Sequence, residues 1–123
     1  MKSSQIATLD KLFSEVIRLR ANGYCEHCGL WVGFDKIDPS HYYVRGHKNL
    51  RFDEDNVFGF KHECHMYFDN HKSEFTSWVV NRLGIQRFDK LVLKHNTIQK
   101  LDYESIKAQL QSRLKELEGI RGI

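Results

Sequence analysis

Cys25-Glu26-His27-Cys28-Gly29, answered later in the chain by His62-Glu63-Cys64-His65, is the stretch that decides the fold. Two thiolates separated by two residues can grip one Zn2+ while the amides of the turn point at the sulfurs. The glycine after them lets the backbone turn tightly. One such knuckle is half of a tetrahedral site. Cys64, the third of three cysteines, is the candidate for the other half. No cysteine remains for the fourth position, so it falls to a histidine or carboxylate, with His62 ahead of His71 and His27. Two other readings exist. Three unconnected buried thiols would leave the spacing unexplained, and a redox dithiol would open a helix after a strand. This knuckle instead follows a helical pattern and a glycine.

Outward from the knuckle, Leu9, Leu12, Phe13, Val16 and Ile17 recur at helical spacing. They predict a helix over about 8–21, capped by Thr8, with Arg18 and Arg20 in its last turn and Gly23 as its stop. The period then vanishes. Short aromatic and β-branched pieces follow, Tyr42-Tyr43-Val44, Leu50-Arg51-Phe52 and Val57-Phe58-Gly59-Phe60, with Arg45-Gly46-His47-Lys48-Asn49 reading as a hairpin turn between the first two. Helical spacing returns at Phe75, Trp78, Val79 and Leu83, ending at Gly84, and Phe88, Leu91 and Val92 suggest a further short helix. Asp102 to Glu118 carries Tyr103, Ile106, Leu110, Leu114 and Leu117 on one narrow stripe, which can pack on the body or on a second copy. The order implies a small α+β fold.

The chain has 123 residues, 41% apolar and 28% charged, with a net charge of +3. That suits one domain over 1–123, with a core of about 22–84 and the 102–118 helix appended. No apolar run reaches the length of a membrane span, and the N-terminus has no apolar signal region. An odd, small number of cysteines argues against a disulfide framework and for a reducing compartment. The charge permits nucleic acid as a partner without requiring it.

Five of the seven histidines fall between His41 and His71. A strand histidine (His41), an asparagine after a turn (Asn56) and a helix-opening histidine (His65) can converge when a hairpin packs on a helix, and they suit phosphodiester hydrolysis. A neutral His41 can take a proton from water, and Asn56 can orient its imidazole through a hydrogen bond. His65, with Asp69 or His71, can hold a divalent ion that stabilises the leaving oxygen. Arg45, His47, Lys48 and Arg51, interleaved with Tyr42, Tyr43 and Phe52, form a basic, aromatic stretch suited to phosphates and unpaired bases. Asp53-Glu54-Asp55 reads as a solvated turn, and His27 and His95 as residues without a chemical role.

The order Cys25-x2-Cys28, Ser40-His41-Tyr42, Asn56, Cys64-His65 resembles the HNH, or ββα-metal, nuclease pattern. More narrowly, Ser40-His41-Tyr42-Tyr43-Val44-Arg45-Gly46 and Asn49-Leu50-Arg51-Phe52-Asp53-Glu54-Asp55-Asn56 resemble the phage NinG/Rap family of recombination endonucleases. The likeness runs over about residues 15–95. It implies a small zinc-stabilised ββα-metal (HNH) core with flanking N- and C-terminal helices. It also implies a metal-dependent endonuclease, phage or prophage encoded and working in the bacterial cytoplasm on branched DNA such as Holliday junctions or D-loops. By position it makes His41 the general base, Asn56 the orienting residue, His65 a ligand of a catalytic Mg2+ or Mn2+, and Cys25, Cys28 and Cys64 ligands of a structural Zn2+. Two symmetric cuts would imply a homodimer, with the Asp102–Glu118 helix as its natural interface.

The chain departs from the pattern in three places. Lys61 stands where a second knuckle would start, so His62 becomes the substitute ligand. Ser40 precedes His41 where many HNH enzymes have aspartate, and His65 replaces an asparagine common in the narrower family. The alternatives are a non-catalytic zinc-finger DNA-binding module, or an HNH nicking enzyme serving restriction, toxin action or packaging.

Overall fold

A computed structural model describes residues 1–120. The first helix, α1 (Ser3–Ala21), starts before the predicted Thr8 cap. The Gln5 side chain accepts from the Lys2 amide at 2.9 Å and satisfies the helix start there, while Thr8 bonds back to Ser4 inside the helix. Its end lies where Gly23 led one to look, with Asn22 and Gly23 both at positive φ (55° and 80°). The zinc-knuckle segment follows, closed by the Tyr24–Trp31 bridge and by the Gly29 amide donating to the Cys25 carbonyl at 2.8 Å. A 3-10 turn at Phe34–Lys36 leads into the hairpin.

That hairpin differs from the expected one. Its strands are β1 (Asp38–His41) and β2 (Val57–Phe60), antiparallel, with Asp38 opposite Phe60 and His41 opposite Val57. Tyr42–Val44 and Leu50–Phe52 are not strands. They belong to a long loop, 42–56, containing a 3-10 turn at Lys48–Leu50. The loop's peptide groups find a side-chain partner instead of a ladder. Buried Asn56 accepts from the Tyr43 amide at 2.8 Å and donates to the carbonyls of Tyr43 (3.0 Å) and Leu50 (3.1 Å).

Four helices complete the chain: α2 (His62–Asn70), α3 (Lys72–Leu83), α4 (Ile85–His95) and α5 (Tyr103–Ile120). Strand alternation splits the core. Phe58 and Phe60 point to α2 and α3, where Phe68, Phe75 and Val79 pack, while Val57 joins Leu9, Phe13, Val16 and Ile17 of α1. The stripe of α5 is spent inside the monomer. Leu110 and Leu117 are buried with α1, and Ile106 and Leu114 pack around them, so this stripe is not a free dimer face. Among the described residues no helix is long and apolar enough to cross a membrane.

Arg20 and Glu26 tie these layers together. The guanidinium pairs with both Glu26 oxygens (2.7 and 3.1 Å) and donates to the carbonyls of Glu54 and Val57. Glu26 also accepts from the Gly59 amide at 2.7 Å. Helix α1 crosses the hairpin at Gly59, where an added Cβ would meet the Ile37 side chain at 2.8 Å and Ala21 at 3.0 Å. Gly59→Ala is therefore expected to cost about 1–3 kcal/mol of stability through forced separation of the packed layers, read as a lower urea midpoint with an unchanged m-value.

Candidate active site and cysteine cluster

Helix α2 presents two chemically distinct stripes. Cys64 and Phe68, four apart, turn into the core, whereas His62, His65 and Asp69, at i, i+3 and i+7, share another face. That geometry corrects the expected fourth zinc ligand. His62 is two residues from Cys64 and so points well away from it around the helix. It lies with Asp38 and His65 instead.

The three sulfurs of Cys25, Cys28 and Cys64 lie within 4.8 Å of one another as free thiols. Burial and then the Cys25 charge push the Cys64 thiol up to about 12. Burial opposes ionisation of Cys28 as well, but the Leu30 backbone amide, the two neighbouring thiols and Lys61 outweigh it and lower that thiol. Three crowded sulfurs resist ionising together unless a cation is shared among them, and a tetrahedral divalent ion fits this donor set. Two further groups reach the cluster. Lys61 places its ammonium against Cys28, whose charge is the main cause of the lysine's raised pKa. His27 brings Nδ1 to 3.2 Å from the Cys64 sulfur, its ring seated edge-on against Phe68. His27, ranked behind His62 and His71 for the fourth position and otherwise expected to be idle, thus touches this cluster at the Cys64 sulfur.

The second cluster sits between β1 and α2. Asp38 Oδ2 lies 3.1 Å from Nδ1 of both His62 and His65, and the Nε2 of His65 lies 3.3 Å from Asp69 Oδ2. One carboxylate and two imidazoles suit a divalent metal with open positions, and the Asp69 carboxylate behind His65 would fix the tautomer that ligation needs. Ser40, on the same strand face as Asp38, is fully buried, and its hydroxyl has no hydrogen-bond partner among the described residues. Asp38 escaped the sequence reading, although the i, i+3, i+7 stripe of α2 signalled that something must face it. His71 is in neither cluster. It stacks on Tyr67 and bonds the Tyr67 carbonyl at 2.7 Å.

His41 lies on the other side of β1, beside Phe13 of α1, and does not join His65. Its Nε2 is 3.1 Å from the Arg51 carbonyl. A carbonyl only accepts, so Nε2 carries the proton and Nδ1 is left with a free lone pair. Burial holds the His41 pKa below the usual histidine range, and the Arg45 and Arg51 charges add to this against the Arg51 carbonyl and Asp10. The imidazole borders a cleft of about 220 Å³ lined by Asp10, Phe13, Ser14, Pro39 and Arg45. The expected hydrogen bond from Asn56 to the imidazole does not form; the His41 ring is held by the Arg51 carbonyl. Asn56 acts through the loop, bonding the Tyr43 and Leu50 peptides that carry Arg51 to His41.

Of the basic stretch, Arg45, His47 and Lys48 are exposed. Arg51 is tucked onto Asp10, and His47 meets His95 with 3.4 Å between their Nε2 atoms. Asp53, Glu54 and Asp55 are not simply solvated. They pair with Lys94, Arg113 and Arg87 respectively.

A family model described as Bacteriophage Lambda NinG protein matches residues 1–119. The chain belongs to the NinG family. No curated protein and no solved structure matches it. NinG membership together with the two donor clusters and the ββα hairpin makes this chain a metal-dependent DNA endonuclease with an HNH-like core. Its donor sets match a structural zinc site and a separate catalytic metal site, and DNA is its partner.

The two clusters separate by substitution. Cys64→Ser should abolish stoichiometric zinc by elemental analysis, whereas His62→Ala should retain it. Asp38→Ala should weaken Mn2+ binding about 10–100-fold or more in titration calorimetry, with zinc content intact.

Proposed function

We propose that this NinG-family nuclease cuts branched recombination DNA, with Zn2+ held by Cys25, Cys28 and Cys64, Mg2+ or Mn2+ held by Asp38, His62 and His65, and His41 as general base. The observation that carries the reading is the placement of His41 and the Asp38–His62–His65 cluster on the two sides of one strand. Strand β1 pairs only with β2 among the described residues, so its other edge carries no ladder, and on this reading the phosphodiester approaches along that edge. The basic loop 44–48 lies next to that edge. It offers Arg45, His47 and Lys48 for phosphates and an exposed Val44 for stacked or unpaired bases.

His41, kept neutral by its burial, takes the proton of the attacking water at Nδ1 while the Arg51 carbonyl holds its ring. Arg45 stabilises the phosphate charge from the same cleft. Asp38, His62 and His65 would hold the divalent ion, which when bound would supply Lewis-acid stabilisation of the departing oxygen. Asp69 keeps His65 in the ligating tautomer, and Asn56 keeps the loop that carries Arg51 in place. At the cysteines, His27 reaches one of the three sulfurs, its Nδ1 lying 3.2 Å from that of Cys64, and is the histidine taken here for a fourth position. The basic loop supplies phosphate contacts, which position a nuclease on DNA without reading sequence, and this favours shape-selective recognition.

Symmetric cutting of a junction would require a homodimer. Because the stripe of α5 lies against α1, the contact must use another surface. The single domain would act in the cytoplasm of a bacterial host, as a phage or prophage product.

Tested on four-way junction, flap, linear duplex and single strand, the wild type should nick the branched substrates at least tenfold faster. Equal rates on linear duplex would instead favour a nicking enzyme with a restriction or packaging role. His41→Ala should lose about 10²–10⁴-fold in kcat with fold and zinc retained, and undiminished cutting would rule out its role. The rate should rise with pH as His41 loses its proton and level off above. The midpoint of that rise should lie below the ordinary ~6.5 of histidine, because burial and the two arginines favour the neutral ring.

A further inference from the structure

The cleft beside His41 contains a carboxylate that cleavage does not obviously need. Asp10, on α1, faces the two arginines expected to seek phosphate. Arg51 grips it twice, Nε to Oδ1 at 2.9 Å and Nη2 to Oδ2 at 2.6 Å, and Arg45 adds a single bond from Nη2 to Oδ2 at 2.8 Å. The two guanidiniums differ in access. The Arg51 side chain is 18% exposed and the Arg45 side chain 57%. A fork-to-fork pair that is largely enclosed holds its geometry, whereas a single exposed bond exchanges readily with another anion. The same Arg51 that grips Asp10 with its guanidinium receives His41 on its carbonyl.

We propose that Asp10 is a positioning residue for cleavage: it stores Arg45 at the mouth of the His41 cleft for hand-over to a DNA phosphate, while its paired bonds to Arg51 hold the carbonyl that orients His41. A phosphodiester oxygen entering the cleft replaces Asp10 as the partner of Arg45. The carboxylate stays neutralised by Arg51, so the incoming phosphate does not meet a bare negative charge. Without Asp10 both arginines would be free to bind DNA, while the Arg51 peptide, held through the Asn56-pinned loop alone, would fix the imidazole less firmly for proton abstraction.

This inference rests on the reading of His41 as the base, and the test separates the two. The full chain, loaded with zinc and Mg2+, is assayed on a labelled four-way junction as wild type, Asp10→Asn, Asp10→Glu and His41→Ala. Asp10→Asn should bind the junction as tightly as wild type or more tightly, because it removes a negative charge from a phosphate cleft. Its kcat should fall about 10–100-fold through misplacement of the reacting group. The ascending limb of its rate–pH profile should move to lower pH, because the charges left facing His41 are Arg45 and Arg51. Asp10→Glu should restore most of the rate. The His41 ring titrated by NMR in the DNA-free protein should show the same downward move in Asp10→Asn, independently of catalysis.

Wild-type kcat and an unmoved His41 titration in a folded Asp10→Asn protein would overturn the proposal. So would a loss of DNA binding in step with the loss of rate, which would mark a purely structural residue. Full cleavage by His41→Ala would instead remove the underlying reading, whatever Asp10 does.

Discussion

The Arg20–Glu26 pair is the interaction on which the rest of the molecule depends. Glu26 sits inside the cysteine knuckle with a side chain only 6% exposed, and a carboxylate so enclosed must have its lone pairs occupied. Two bonds from Arg20, one from the Gly59 amide and one from Arg82 do this. In return the Arg20 guanidinium caps the carbonyls of Glu54 and Val57, just where the long loop becomes β2. One ion pair therefore fixes the first helix, the knuckle, the loop exit and the second strand relative to each other. Both sites inherit their geometry from that alignment, since Cys25 and Cys28 flank Glu26 and β1 takes its register from β2.

Beyond that hub, the placement of the candidate residues follows from the pleat of a strand. Successive side chains of β1 alternate, so Asp38 and Ser40 face α2 while His41 faces α1. A single short strand thus carries part of the Asp38–His62–His65 donor cluster on one side and His41, beside its cleft, on the other. Asn56 extends the arrangement into the loop. Three hydrogen bonds from one buried side chain replace the ladder that residues 42–56 lack. The cost of burying an amide is offset because its oxygen and its amino group are both hydrogen-bonded to peptide groups of the loop.

Much of this was legible in the residues. Helical periodicity gave α1, α3 and α5, the knuckle spacing gave the three-sulfur cluster, and the histidine density pointed to β1 and α2. Other features were not readable in the same way. The aromatic pieces Tyr42–Val44 and Leu50–Phe52 look like strands because β-propensity reports half-buried packing, which a loop pinned by Asn56 also provides. His62 looked like a zinc ligand because it is close to Cys64 in sequence, yet two residues along a helix separate directions widely. Arg20 read as a favourable charge in a last helical turn, and nothing local announces that its partner is Glu26.

Residue identity and spacing already marked where chemistry was possible: three thiols at knuckle spacing, a histidine stripe, an asparagine after a turn and a basic loop. These are properties of residue type and short-range period, which the chain carries at every stage of folding. Only the tertiary structure decided the groupings. It gave Asp38 to His62 and His65, His27 and Lys61 to the cysteines, Asp10 to Arg45 and Arg51, and the stripe of α5 to α1 rather than to a second copy. Each of those choices joins residues far apart in the chain, and what selects them is the one registry of helices and strands that buries both cores while keeping their charged groups paired.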